Sequence, residues 1–292
     1  MTSTAPAVAD TTPTDHPLLG AFARIYTRSS ADALAEAFVA DQLVQVQLNL
    51  SVLGVPTIPT PDQLAGLDLA AIRAAFTRRG RVIWGVSATY NTAHPDPAIR
   101  DRQTADAASF IAGLADLAPV AATLCTGTRD ADSMWRAHPD NTSPEAWADL
   151  LASLQVLLPA ARTSGVLLAV EPEPGNIITG TAAALRLLDD LGADADQIGF
   201  ILDPANLVST TPAEQHTAIL TEAFDRLGEK AICLHAKDIQ PWADTLAGRP
   251  GVDYRLVHQL RQTLPTPVPL IIQDATEAEL PQVRDWLLAQ AH

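Results

Sequence analysis

What this chain lacks narrows its chemistry before any motif is considered. It has two cysteines, Cys125 and Cys233, in 292 residues. They lie far apart within apolar runs, so they make neither a disulfide framework nor a Cys-x-x-Cys metal motif and read as buried thiols. Basic residues are scarce: 19 Lys and Arg stand against 34 Asp and Glu, for a formal charge of −15. A surface of that sign repels phosphate backbones and argues against a nucleic-acid partner. No apolar run approaches the roughly 18 residues of a membrane span, which argues against a membrane partner. Residues 1–14 are rich in Thr, Ala and Pro and lack the basic start and apolar core of a secretory signal. The expected compartment is therefore the cytoplasm. No G-x-G-x-x-G and no P-loop occurs, so no nucleotide phosphate cradle is expected.

What is present is ample apolar content, 47%, for one large domain. Apolar runs of strand length alternate with helical patterns along the whole chain. Strands are expected at 21–26, 43–48, 81–87, 120–125, 166–170, 198–202, 231–234 and 269–272. Helices are expected at 31–40, 68–78, 101–117, from Ser143-Pro144-Glu145 to about Ser164, and at 181–191, 211–227, 254–264 and 276–291. Ser143, Pro144 and Glu145 supply a cap, a first-turn proline and a first-turn acid. Strict alternation implies parallel strands with helical crossovers, and eight units in about 275 residues suit a (β/α)8 TIM barrel. The expected organisation is a flexible tail at 1–17 and a single barrel domain at 18–292.

The chemistry-bearing residues cluster after strands. Val166–Val170 runs into Glu171-Pro172-Glu173, Ile198–Leu202 into Asp203-Pro204-Ala205-Asn206, and Ala231–Leu234 into His235-Ala236-Lys237-Asp238. Two carboxylates and an imidazole delivered to one rim suit a divalent metal. Glu171 and Glu173, two apart on an extended segment, share a face. Glu171 reads as a ligand and Glu173 as a second ligand or an acid/base. Asp203 reads as a ligand, as the cap of a turn, or as both. Asn206 is placed to bind a substrate oxygen. Lys237 lies on the His235 side of its strand, where it can stabilise an oxyanion. His94, Trp135 and His138 sit in long loops after the third and fourth strands. They read as substrate contacts, with Trp135 able to stack on a sugar ring, or as loop-packing residues.

In Ser87–Asn91 with His94-Pro95-Asp96, Trp135-Arg136 with His138–Asn141, Val170–Glu173, Leu202–Asn206 and Leu234–Asp238, the chain resembles the sugar phosphate isomerase/epimerase superfamily, the xylose-isomerase-like TIM barrels. The resemblance spans about residues 20–290. It implies one divalent ion (Mn, Zn, Co, Fe or Mg, with Mn or Zn favoured) held by Glu171, Asp203 and His235. The family's fourth ligand, a Glu after strand eight, is replaced here by Gln273, which brings an oxygen but no charge. Asp274 is the alternative, although alternation points it the other way. The resemblance implies an isomerase or epimerase of a small sugar or polyol-derived carbonyl compound, acting through a metal-bound enediolate, with Glu171, Glu173 and Lys237 as catalytic residues. Because Gln273 cannot be a base, a dehydratase-like β-elimination and a non-catalytic sugar-binding barrel are the alternatives. An endonuclease-like relative is disfavoured by charge. The expected partner is a carbohydrate, and the sequence leaves a homo-oligomer open.

Overall fold

The structure, a computed structural model, describes residues 16–291. Eight parallel strands close into one barrel in chain order. They are β1 (His16–Phe22), β2 (Leu43–Leu48), β3 (Val82–Ser87), β4 (Ala121–Leu124), β5 (Leu167–Val170), β6 (Ile198–Leu202), β7 (Ala231–Ala236) and β8 (Leu270–Ile272). Between and around them run α1 (Ala31–Ala40), α2 (Pro61–Ala65), α3 (Leu69–Thr77), α4 (Pro97–Ala112), α5 (Pro144–Ser164), α6 (Thr181–Leu191), α7 (Pro204–Val208), α8 (His216–Leu227), α9 (Trp242–Leu246), α10 (Tyr254–Gln262) and α11 (Leu280–Ala289). The barrel closes where Gly20 of β1 pairs with Ile271 of β8. No described helix is long and apolar enough to cross a membrane.

Local chemistry explains most of the elements. Ser30 caps α1 by accepting from the Ala33 N–H at 3.2 Å. Ser143 caps α5 in the same way, accepting from Ala146 at 3.1 Å with Pro144 following. Packing divides into two layers. The larger lies between strands and helices and includes Phe38, Phe76, Phe110 and Phe200. The smaller is the barrel interior, built from Trp84, Ala121, Ala169, Ile201, Cys233 and Ile271, one from each of β3 to β8. Side chains alternate along a strand, so the residue two positions further also points inward, one layer nearer the mouth. From Ala121, Ala169, Ile201, Cys233 and Ile271 that step leads to Thr123, Glu171, Asp203, His235 and Gln273.

Several boundaries differ from the sequence expectation. The first strand occupies His16–Phe22 rather than 21–26, because Leu19, Gly20 and Ala21 pair with β8, and the 23–25 segment is a 3-10 turn. His16 and Pro17 of the expected tail open β1, and residues 1–15 lie outside the described residues. β7 runs two residues further than expected, through His235 and Ala236, which pair with Ile271 and Ile272. α4 starts at Pro97 instead of 101, where Asp96 caps it by accepting from Ala98 at 2.8 Å. α8 starts at His216 instead of 211. The short helices α2, α7 and α9 sit in stretches where no helix was expected.

Candidate active site at the barrel mouth

Glu171, Asp203 and His235 converge: one ligand atom from each lies within 4.8 Å of the other two. Each was placed by a different strand end. Glu171 continues β5, its N–H donating to the Leu124 carbonyl at 3.3 Å. Asp203 caps α7, and its Oδ1 accepts from the Ala205 and Asn206 N–H groups at 2.8 and 3.1 Å. Its other oxygen, Oδ2, is buried and has no hydrogen-bond partner among the described residues; the Lys237 ammonium lies 3.4 Å from Asp203 Oδ2. A buried carboxylate oxygen left without a hydrogen bond is costly and marks a position for a cation.

His235 is fully buried, and both ring nitrogens face acceptors. Nε2 lies 2.8 Å from the Oε1 of Gln47, and Nδ1 lies 3.0 Å from the Oε1 of Glu171. Gln47 comes from β2 and is itself buried. An amide oxygen can only accept, so it holds an N–H on Nε2 and leaves Nδ1, on the Glu171 side, as the nitrogen that can ligate an ion. The Gln273 amide nitrogen lies 3.0 and 2.9 Å from the two ring nitrogens, a near-equal spacing that puts it over the ring face. Gln273, and not the exposed Asp274, therefore faces the mouth. Asp274 takes a left-handed backbone conformation, φ 56°.

Asn206 joins the remaining polar groups. Its amide donates to Glu171 at 2.9 Å and to Glu173 at 2.7 Å, and its oxygen accepts from Lys237 at 2.7 Å. Charge is distributed unevenly over this network. Burial pushes Glu173 up to about 7, and pushes Asp203 up to about 6. Burial also works against ionised Glu171, but His235 and Lys237 outweigh it and hold that carboxyl below its ordinary range. Burial opposes the Lys237 ammonium, yet Asp203, Glu171 and Glu173 around it raise it above its ordinary value. The centre thus combines an ionised Glu171, an ammonium, and Glu173 poised near neutrality, the range suited to proton transfer.

The loops around the mouth are tied to one another. Asp238 caps the segment after β7, accepting from Ile239 and Val252 N–H groups at 2.7 and 3.0 Å and from the Thr245 hydroxyl at 2.6 Å. Any Cβ at Gly251 would strike that carboxylate. Tyr254 donates to the Lys237 carbonyl at 2.8 Å and Trp242 to the Gln273 carbonyl at 2.7 Å, so an aromatic cluster fixes the backbone beneath both residues. Across the mouth, Asn176 accepts from the Gly127 N–H at 3.0 Å and donates to the Met134 carbonyl at 2.9 Å. A side chain at Gly175 would meet the Trp135 carbonyl.

A cavity of ≈ 190 Å³ opens beside Glu171 and Gln273 and is also lined by Gln47, Asn49, Trp135 and Arg24. Trp135, 55% exposed, stands at its rim. His94 and His138 do not line it. His94 is buried against its own loop, its Nδ1 accepting from Asp96 at 3.1 Å. His138 accepts from Asp140 at 3.2 Å in an outer groove with Arg100 and Arg129. Cys125 also borders the cavity, but burial pushes its thiol up to about 12, which makes it no nucleophile. Sequence reasoning missed Gln47, Asn49 and Arg24. The available signal was Gln47 itself, the second of two glutamines that alternate with Val44, Val46 and Leu48 in β2.

Comparison with known proteins agrees with this architecture. The chain overlays 3-keto-D-glucoside 4-epimerase from E. coli at a TM-score of 0.70 and 14% identity, covering 94% of this chain and 100% of that one. It overlays D-psicose 3-epimerase from Clostridium cellulolyticum, solved with D-tagatose, at 0.69 and 13% identity, covering 94% and 97%. A xylose isomerase-like TIM barrel protein from Mycobacterium smegmatis, in complex with magnesium, overlays at 0.62 and 16% identity, covering 94% and 96%. No curated protein matches the sequence. The family model described as xylose isomerase-like TIM barrel matches residues 48–259, from the end of β2 into α10, and the chain belongs to that family.

Proposed function

We propose that the protein is a divalent-metal-dependent isomerase or epimerase of a small sugar or polyol-derived carbonyl compound. The observation that carries this reading is the convergence of Glu171, Asp203 and His235, with a buried oxygen of Asp203 that accepts no hydrogen bond from the described residues among them. This donor set, one imidazole and two carboxylates with Gln273 as a neutral fourth group, fits manganese or zinc. A bound ion would polarise the carbonyl and neighbouring hydroxyl of a substrate and so acidify the proton between them. Glu173, pushed up to about 7, is the group suited to take and return that proton. Lys237, charged and held by Asn206 and Asp203, is suited to offset developing negative charge on a substrate oxygen. Asn206 keeps Glu173 and Lys237 in register. Trp135 offers a flat apolar face to a sugar ring at the cavity rim. The epimerases that the fold overlays act on sugars, which supports the substrate class by analogy of fold.

The test is metal content after purification, followed by exchange of substrate α-protons in deuterated water across a panel of aldoses and ketoses. Bound metal with exchange is expected, and a metal-free protein that exchanges nothing refutes the reading. One observation favours a second chemistry. Gln273 supplies no carboxylate, so Glu173 is the one raised carboxyl outside the proposed ion ligands, and elimination needs only one base. A dehydratase would lose water from its substrate, an 18 Da change detectable by mass spectrometry, without net isomerisation.

A further inference from the structure

The loops that follow the eight strands carry six cationic side chains: Arg24, Arg28, Arg129, Arg136, Lys237 and Arg249. Five of them are neutralised within the protein. Arg28 pairs with Glu277, Arg129 with Asp149, Arg136 with Asp130, Lys237 with Asp203 and Arg249 with Asp244. Arg24 is the exception: among the described residues it has no ion pair and no side-chain hydrogen bond, and it lines the ≈ 190 Å³ cavity that contains Glu171 and Gln273.

The position of Arg24 is well defined. It occupies the 3-10 turn that follows β1, between buried Ala23 and buried Tyr26. The Tyr26 N–H returns to the Ala23 carbonyl at 3.1 Å, and the Tyr26 hydroxyl donates to Asp41 at 2.6 Å. The turn is therefore anchored from below while the guanidinium stays exposed. The cavity wall contributes neutral polar side chains, Asn49, Ser87 and Thr89, which suit hydroxyl groups. The one carboxylate in the lining is Glu171, at the metal-candidate end. A molecule seated there meets both the metal-candidate carboxylate Glu171 and the Arg24 guanidinium, which has no acid beside it among the described residues.

We propose that the substrate of this site carries, besides the reacting carbonyl, an anionic group, a carboxylate or a phosphate ester, recognised by Arg24. This rests on the carbohydrate reading above and narrows it to acidic or phosphorylated sugars. A guanidinium binds either oxyanion through paired N–H donors, so both sources share one chemistry.

The test uses the Mn²⁺-loaded protein and three ligands with a common skeleton: D-fructose, D-fructuronate and D-fructose 6-phosphate. Affinities are measured by calorimetry for the native protein, Arg24→Gln and Arg24→Lys. At least one anionic ligand is expected to bind about tenfold tighter than fructose, the identity of that ligand separating carboxylate from phosphate. The preference should fall to near unity in Arg24→Gln and to an intermediate value in Arg24→Lys, which keeps charge but loses the paired donors. Fructose binding without any anionic preference, or a preference that survives in Arg24→Gln, overturns the assignment and leaves the carbohydrate reading standing. Binding of none of the three overturns both.

Discussion

The contact between Gln47 and His235 offers the sharpest test of the site. Replacing Gln47 with Leu removes the oxygen 2.8 Å from Nε2 while filling nearly the same volume. His235 is fully buried, so no water takes over, and the stranded N–H costs about 1–3 kcal/mol wherever the proton must remain on Nε2. In the metal-free protein the proton can move to Nδ1 and bond to Glu171 at 3.0 Å, so folding stability changes little, by less than about 1 kcal/mol. A bound ion needs the Nδ1 lone pair and returns the proton to the stranded nitrogen. The loss therefore falls on metal affinity, about 10–100-fold. Calorimetric titration with Mn²⁺ or Zn²⁺, paired with thermal melts of the chelated protein, reads both quantities. Gln47→Glu, which keeps an acceptor oxygen, should restore most of the affinity. Unchanged metal affinity in Gln47→Leu, or an equal loss in Gln47→Glu, would show that Gln47 does not set the imidazole tautomer.

Glu173 sets a pH limb. A base must be ionised; burial has raised this one to about 7 and a bound cation would lower it, so kcat/KM should climb with pH to a plateau reached by about pH 8 and lose that limb in Glu173→Gln. The chelated protein should show the opposite slope in stability. Asp203 and Glu173 are both raised in the fold, so their contribution is present in acid and lost as pH rises through about 6 and about 7. Glu171, shifted downward, is ionised throughout that window. Metal-free protein should melt higher at pH 5 than at pH 8, and added Mn²⁺ should reverse the order; equal melting temperatures would contradict the burial of these carboxyls. Asp238→Ala removes three hydrogen bonds from a buried acceptor and should cost about 2–4 kcal/mol in urea denaturation, with new proteolytic cleavage between residues 239 and 252. Gly251→Ala should open the same loop by displacing the Asp238 carboxylate, and unchanged protease resistance would count against that packing.

Much of the site was readable because a barrel strand is a local object. Alternation alone sends Glu171, Asp203 and His235 inward once Ala169, Ile201 and Cys233 are taken as interior, and the acids and the imidazole stand at strand ends in plain view. His94 and His138 were equally visible, but each accepts at Nδ1 from a backbone N–H two residues on, and His94 Nε2 meets the Ala131 carbonyl of the next loop, a fate that residue type does not reveal. The first strand was placed too late because its limits come from pairing with the last, about 250 residues away. Gln47 looked like the solvent face of an alternating strand; in a closed barrel that face is the inside.

By itself, then, the order of apolar runs and helices determined a parallel eight-stranded barrel, and the residues ending three of those runs determined a metal-competent rim. These follow from periodicities of two and about 3.6 residues, which are properties of neighbouring positions in the chain. Only the tertiary structure decided which partners those residues meet: Gln47 on His235, Asn206 between two glutamates and a lysine, and Arg24 without an acid among the described residues. Those contacts join residues 31–188 positions apart, and such proximity is set by barrel closure and register.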